Sequence, residues 1–373
     1  MSSDSAGSSE EGRPELFPSK HQVAGHRFED GKRGSLVDGN GHFFKPLQAG
    51  PRGEREAAFY KRVSERTPES AYDDDAFEAT SSSGEHEHNA STTLHVRLAR
   101  WLARYHGTVQ LEGKYGGGGL RHVELDDVTH RYKQPAIADI KVGHQTWYTD
   151  AEPNYIQKCQ LKDQATTSAE LGFKVCGMQV YDHRHKGYWR AGKPWCKKLG
   201  AQSVPSVLAR FGSSGGVVPA HVFGGKHGLI TALEDMVAWF EEQREYVFYS
   251  SSILVLYEGA ARTPEELRVR VKLVDFAHTF ARESTRDSNF IGGLNALVGV
   301  LEGVVKGQYG EHGVPVDSEG NWVLDGVGLV GMSAGKGALE IRQDSIAATV
   351  LLEGGLEGCA GVPDSVAHVE VSS

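Results

Sequence analysis

The sequence predicts an α+β fold in two lobes, a small lobe of hairpin and helices followed by a larger mixed one. Three observations carry this expectation. The chain has 373 residues, enough to bury two cores. Its first part holds a hairpin pattern followed by two helical patterns. Its later part holds a helical run followed by two apolar runs of strand character.

The elements follow in order. Residues 34–47 place two apolar runs around Asp38-Gly39-Asn40-Gly41, whose glycines supply the positive φ of a tight turn, so Lys45 falls on the second strand. Arg52–Val63 carries Ala58 or Phe59 and then Val63 at helical spacing, and Leu94–Tyr105 reads as a helix with Leu94, Leu98, Trp101 and Leu102 on one face. Pro135–Gly143 reads as extended, which puts Asp139 and Lys141, at i and i+2, on one face. Lys158 and Lys162, at i and i+4 in Tyr155–Asp163, share a helix face. Leu229–Tyr246 reads as a helix, and Val247–Glu258 and Arg268–Asp275 as strands joined across residues 259–266.

Three stretches read otherwise. Residues 1–20 are polar and rich in Ser and Glu, and residues 69–92 hold seven acids and no Lys or Arg, so both are expected to be disordered. Residues 303–373, with 14 glycines in 71 residues, are expected to form a largely disordered acidic tail. The ordered parts are then a first lobe at 21–130, interrupted by the acidic insert, and a second at 131–302. Gly331–Gly337 imitates a phosphate loop but lacks its first glycine and the Ser or Thr after Lys336, and Glu85–His88 reads as a solvated tract rather than a metal site.

Charge is uneven. Residues 131–198 hold twelve Lys and Arg against six Asp and Glu, a net +6 against −15 elsewhere within an overall −9, so an anionic substrate is expected there. Cys159, Cys176, Cys196 and Cys359 lack C-x-x-C spacing, which argues for reduced thiols over zinc or a disulfide framework. Without a run of eighteen apolar residues or an apolar leader, the expectation is a soluble intracellular protein with no membrane span.

Two residues invite chemistry on their own account. Lys45 lies among Phe43, Phe44 and Leu47, where a charged end is costly unless it reaches an anion. Asp275 ends the run Val269–Asp275, and a carboxylate there suits a hard cation such as Mg²⁺.

The pattern Pro135-x-x-x-Asp139-x-Lys141-x-Gly143 resembles the signature of the inositol polyphosphate kinases. Segments 21–26, 125–130, 172–181, 248–259 and 274–278 resemble further family segments in the same order, so the likeness runs from residue 21 to about 302 and is greatest to the multikinase branch. It implies a two-lobed fold distantly like that of protein kinases. It also implies ATP- and Mg²⁺-dependent transfer to inositol trisphosphate and tetrakisphosphate, towards the pentakisphosphate.

Residue by residue, the resemblance implies that Lys45 touches the ATP phosphates and that Asp275 binds the metal; Glu56, on the helix after Lys45, is placed either to orient it as an ion pair or to stand as a surface glutamate. Backbone groups of Asp126 and Val128, with Asp127 between, would read the adenine. Asp139 would contact the ribose or assist the attacking hydroxyl, and Lys141 would touch the transferred phosphoryl group or the acceptor. Gln48 and Arg52, which match polar and basic positions of the family's first lobe, and His278 would hold the acceptor; Lys158 and Lys162 are expected to join them on the ground of their shared helix face and the local positive charge. Gln157–Gln160 departs from the Gln-rich helix of animal multikinases, which leaves acceptor preference open.

An inositol hexakisphosphate kinase is the nearest rival. A trisphosphate 3-kinase is disfavoured by the short 143–172 segment, where that branch has a larger helical insertion. A scaffold that binds inositol phosphates in the nucleus without turnover is the reading from another class. The remaining expectations are a monomer in nucleus and cytoplasm, phosphoinositide headgroups as a second class of partner with lipid kinase activity left open, and no direct contact with nucleic acid.

Overall fold

The computed structural model describes residues 15–25, 33–72, 90–111, 119–183, 186–214 and 216–309. Two antiparallel five-stranded sheets organise them. The first has the order β1-β2-β3-β5-β4, from Phe17–Pro18 (β1), Leu36–Val37 (β2), His42–Pro46 (β3), Tyr105–Leu111 (β4) and Leu120–Asp126 (β5). Helices α1 (Pro51–Ser64) and α2 (Ala90–Arg100) belong with it. The hairpin turn is built as its residues require: Asp38 Oδ1 accepts the Asn40 and His42 amides at 2.8 and 3.0 Å, while Gly39 and Gly41 take φ of 75° and 108°.

The second sheet has the order β11-β10-β6-β7-β8. Its strands are β6 (Pro135–Val142), β7 (Phe173–Asp182), β8 (Gly187–Ala191), β10 (Ser252–Glu258) and β11 (Arg270–Val274); β9 (Tyr246–Phe248) pairs separately with β12 (Thr279–Ala281). Helices α3 (Pro153–Gln164) and α4 (Thr167–Leu171) join β6 to β7. Short helices α5 (Lys193–Cys196), α6 (Val204–Phe211) and α7 (Pro219–Phe223) come next, then α8 (Leu229–Glu242) and α9 (Ser288–Val305). Central strand β6 is covered on both faces, so it reads as an apolar run broken only by Asp139 and Lys141.

One core runs through both sheets. Phe59 of α1 packs on Phe276 with ring centroids 4.3 Å apart and on Phe248 at 5.8 Å, and Phe248 continues to Phe290 of α9. α9 is long and apolar enough to cross a membrane by length and composition, but Phe290, Ile291, Leu294, Leu297 and Leu301 are buried in this core.

Several boundaries differ from expectation, each for a visible reason. α2 stops at Arg100 because the carbonyls that follow are used elsewhere: Lys272 Nζ donates to Arg100 O at 2.7 Å and the Leu273 amide to Trp101 O at 2.6 Å, and Tyr105 joins β4. α8 ends at Glu242 because the Gln243 side chain accepts the Glu245 and Tyr246 amides, both at 3.0 Å. The strand expected over 247–258 breaks at 249–251, where Ser250 takes φ 54°. Phe17–Pro18, inside the terminus expected to be disordered, pairs with Leu36–Val37. Residues 69–72 form a helical turn and α2 begins at Ala90, which narrows the acidic insert at both ends. α9 runs to Val305, past the boundary set for the tail, because Leu301 and Gly303 are buried. Residues 1–14, 73–89 and 310–373, and with them Gly331–Gly337, Glu85–His88 and Cys359, lie outside the described residues; Cys159, Cys176 and Cys196 are free thiols.

The segment after β1 leaves the first sheet and lies on the second. Gln179 Nε2 meets His21 Nδ1 at 3.0 Å, Arg190 donates to Lys20 O at 3.0 Å, and Val23 O lies against Gly177 of β7. A Cβ on Gly177 would sit 2.0 Å from that carbonyl oxygen, so no side chain fits beneath it. Gly177→Ala is therefore expected to cost about 1–3 kcal/mol as the segment is displaced. A urea unfolding midpoint equal to wild type would show that the segment does not press on the sheet.

Candidate active site

The site draws residues from both sheets and from α1. Lys45 of β3 stretches between Glu56 Oε1 and Asp275 Oδ1, each 2.6 Å from its Nζ. Glu56 comes from α1 and is wholly buried, and its Oε1 also accepts the Phe276 amide at 3.3 Å. A helix of one lobe thus grips both the lysine and the segment Asp275–His278 of the other. Burial disfavours the charged lysine, but the two carboxylates outweigh it and raise its pKa well above normal.

Asp275 follows β11 in the left-handed backbone region, φ 67°, a conformation that Asp tolerates better than most residues. Ser251 Oγ donates to its carbonyl at 2.8 Å and fixes the turn. Burial pushes its carboxyl up, but Lys45 and Lys141 overcome this and hold it well below the usual range. The side chain keeps 44% exposure, so an ionised carboxylate opens to the cleft.

Across the cleft, Asp139 and Lys141 stand on one face of β6. Lys141 Nζ donates to Ser250 O. Asp139 is buried, and its Oδ1 has no hydrogen-bond partner. Burial, and then the charge of Asp275, raise its pKa against the pull of Lys141. Two carboxylates that repel each other, one with an orphaned oxygen, form a donor pair that fits a hard divalent cation. Among the described residues no three His, Cys, Asp or Glu side chains gather as a ready metal site, so such a cation would need ligands from its substrate.

Beside this polar centre lies a small apolar cluster of Val23, Ile137 and Leu256, with Val128, Tyr132 and Leu254 packed against it. Leu254 is the cross-strand partner of Asp139. Residues 126–129 border this cluster through Val128. The Asp126 amide donates to Arg104 O and the Asp127 amide to Gly41 O, Asp126 Oδ1 meets His106 Nε2 at 2.6 Å, and Asp127 Oδ1 accepts from Thr129. The Val128 amide has no backbone acceptor among the described residues. The arrangement sets an apolar patch beside the Val128 backbone amide, a pairing suited to a flat heterocycle.

The opposite end is cationic and aromatic. Arg52 of α1 lies 5.5 Å from the Tyr155 ring centre, and Tyr155 stacks on His278 with centroids 5.8 Å apart. Arg55 donates to Ala277 O at 2.5 Å and lies 4.4 Å from the Phe280 ring centre. Burial, and then Arg52, Arg55 and Lys141, push the His278 imidazole down to about 4, so it is neutral at physiological pH and can offer a neutral hydrogen bond.

Of the residues singled out from sequence, Lys45, Glu56, Asp139, Lys141 and Asp275 converge, with Arg52 and His278 at the cationic end. Lys158 and Lys162 are exposed on α3, whose first turn carries Tyr155. Gln48 is exposed on the turn before α1. The sequence pattern gave no role to Arg55, Tyr155 or Ser250–Ser252. The three consecutive serines at a strand start were the one local signal, since each lies beside Asp139, Lys141 or Asp275.

Residues 122–302 match the family described as inositol polyphosphate kinase. The chain is 40% identical over 304 residues to inositol polyphosphate multikinase IPK2 of Oryza sativa subsp. indica, covering 78% of this chain and 95% of that protein. The chain belongs to the inositol polyphosphate kinase family. It is therefore a kinase, and the site above is read as that of a kinase. Inositol polyphosphate multikinase beta of Arabidopsis thaliana is 36% identical over 304 residues, covering 77% of this chain and 93% of that protein. The fold is also that of inositol phosphate multikinase from S. cerevisiae, solved with ADP and Mn²⁺: TM-score 0.50 at 20% identity, over 70% of this chain and 98% of that one.

Proposed function

We propose that the chain is an ATP- and Mg²⁺-dependent inositol polyphosphate multikinase that phosphorylates inositol trisphosphate and tetrakisphosphate towards the pentakisphosphate. The observation that carries this is the Lys45 bridge to Glu56 and Asp275, faced across one cleft by Asp139 and Lys141. Phosphoryl transfer asks for positioning and neutralised charge, which this set supplies.

In this reading Lys45 holds the nucleotide phosphates, and Asp275 with Asp139 would hold Mg²⁺, which neutralises the charge that develops on the phosphoryl oxygens. Asp139, whose Oδ1 has no protein partner, also stands where it would orient the attacking hydroxyl. Lys141 lies beside it to steady the moving phosphoryl group, and Arg52 and His278 hold the acceptor's other phosphates. The apolar cluster at Val128 and Leu254 takes the adenine.

Incubation with inositol 1,4,5-trisphosphate, ATP and Mg²⁺, followed by chromatography, is expected to yield tetrakisphosphate and then pentakisphosphate. Binding without turnover would favour a scaffold, and pyrophosphorylated product from hexakisphosphate would favour that kinase branch. Micelles of phosphatidylinositol 4,5-bisphosphate in the same assay test the lipid as substrate. A fluorescent fusion tests the proposed residence in nucleus and cytoplasm.

The exposed lysines of α3 allow a separate test. Lys158→Ala/Lys162→Ala is expected to raise KM for the inositol phosphate roughly 10-fold at low salt with little change in KM for ATP, since each lost charged contact is worth roughly 1–3 kcal/mol before screening. The effect shrinks as salt rises. Equal loss for both substrates would remove these lysines from acceptor binding.

A further inference from the structure

Lys174 of β7 was given no role by the sequence, yet its position asks for one. It is the direct cross-strand partner of Lys141 on β6, so two lysines stand side by side on one face of the sheet. Like charges directly opposite each other on neighbouring strands are destabilising. Lys141 has Asp139 and Asp275 as opposing charges, but no ion pair is made by Lys174 among the described residues. Lys174 Nζ has one long contact, 3.4 Å to Thr166 Oγ1, at the end of α3. The nearby carboxylate, Asp163, is buried and fully engaged: its two oxygens accept the Thr146 amide and hydroxyl at 2.9–3.0 Å. Lys162 on α3 adds a third positive charge. Burial, reinforced by Lys141 and Lys162, lowers the Lys174 pKa against the pull of Cys176 and Asp163.

Three lysines from β6, β7 and α3 therefore act on one another with no free anion between them, two residues along β6 from Asp139. Half-burying a lysine against another lysine costs stability, and proteins retain such costs where a ligand repays them. We propose that Lys174 is a phosphate-binding residue of the acceptor site, completing with Lys141 and Lys162 a cradle for the inositol phosphate group next to the reacting hydroxyl. This deepens the functional reading above and rests on it. The cradle requires a dense polyanion with neighbouring phosphates, which discriminates against sugars or alcohols that carry a single phosphate.

The test is Lys174→Met, which keeps length and removes charge, beside Lys174→Arg, which keeps charge. Kinetics with inositol 1,4,5-trisphosphate and ATP are run on both variants and on wild type. Lys174→Met is expected to raise KM for the inositol phosphate roughly 10- to 100-fold, the range for a charged hydrogen bond to phosphate, while KM for ATP stays within about twofold. Lys174→Arg is expected to stay within about threefold of wild type for both. Without ligand, Lys174→Met is expected to melt at the wild-type temperature or above, because the repulsion with Lys141 has gone.

Unchanged KM in a folded Lys174→Met overturns the proposal. A lower melting temperature with equal rises in both KM values also overturns it and makes Lys174 structural. If Lys174→Met does not fold, Lys174→Gln is measured in its place, with the same outcomes deciding. Wild type that turns over no inositol phosphate would instead remove the functional reading, and this inference with it.

Discussion

Asp275→Asn is expected to lower kcat by roughly 10²- to 10³-fold while the melting temperature changes little, the loss typical when one preorganised electrostatic group is removed from a transition state. The choice of Asn follows from the backbone. At φ 67° a residue without a short polar side chain is strained, so Asp275→Ala would mix a folding defect with a chemical one, whereas Asn shares the tolerance of Asp for this region. The amide oxygen can still accept from Lys45, which keeps the bridge to Glu56 in place. What disappears is a negative charge that two lysines keep ionised and that faces the cleft. Steady-state rates with saturating ATP, beside a thermal melt, decide the matter. A folded variant with kcat within tenfold of wild type would take Asp275 out of the chemistry.

How much of this was legible beforehand depended on how local each signal is. The hairpin with Lys45, helix α1, the shared face of Asp139 and Lys141, and Asp275 at a strand end all follow from short-range pattern, and the structure has each of them. Strands β4, β5, β7 and β8 were not assigned from pattern. In β7 the run from Gly177 to Val180 is buried on both faces, which erases alternation. The ends of α2 and α8 were overrun because what stops them is distant or side-chain mediated: Lys272 lies 172 residues from Arg100, and Gln243 caps with its own amide group. Lys174 illustrates the limit. Its alignment with Lys141 depends on a register shift between Asp139 and Ile140, and no spacing within β6 or β7 reveals which residues a shifted ladder will pair.

The second large effect is on stability, at Lys45. Lys45→Met is expected to lower unfolding free energy by about 3–5 kcal/mol as well as abolish turnover, because it leaves the wholly buried Glu56 carboxylate with only the Phe276 amide, at 3.3 Å, as partner. Asp275 loses the same partner but can turn to water through its exposed side. The asymmetry lies in Glu56, whose Oε2 already lacks a partner in the intact site. Removing both buried ends together separates the two roles of the lysine. Lys45→Met/Glu56→Met replaces a charged pair with apolar side chains of similar length, a change that is often neutral or stabilising. The double variant is expected to recover most of the lost stability in urea unfolding while remaining inactive. If it is no more stable than Lys45→Met, the unpaired Glu56 charge is not the source of the defect. If activity returns with stability, Lys45 serves the fold alone, and the nucleotide phosphates are held by some other cation.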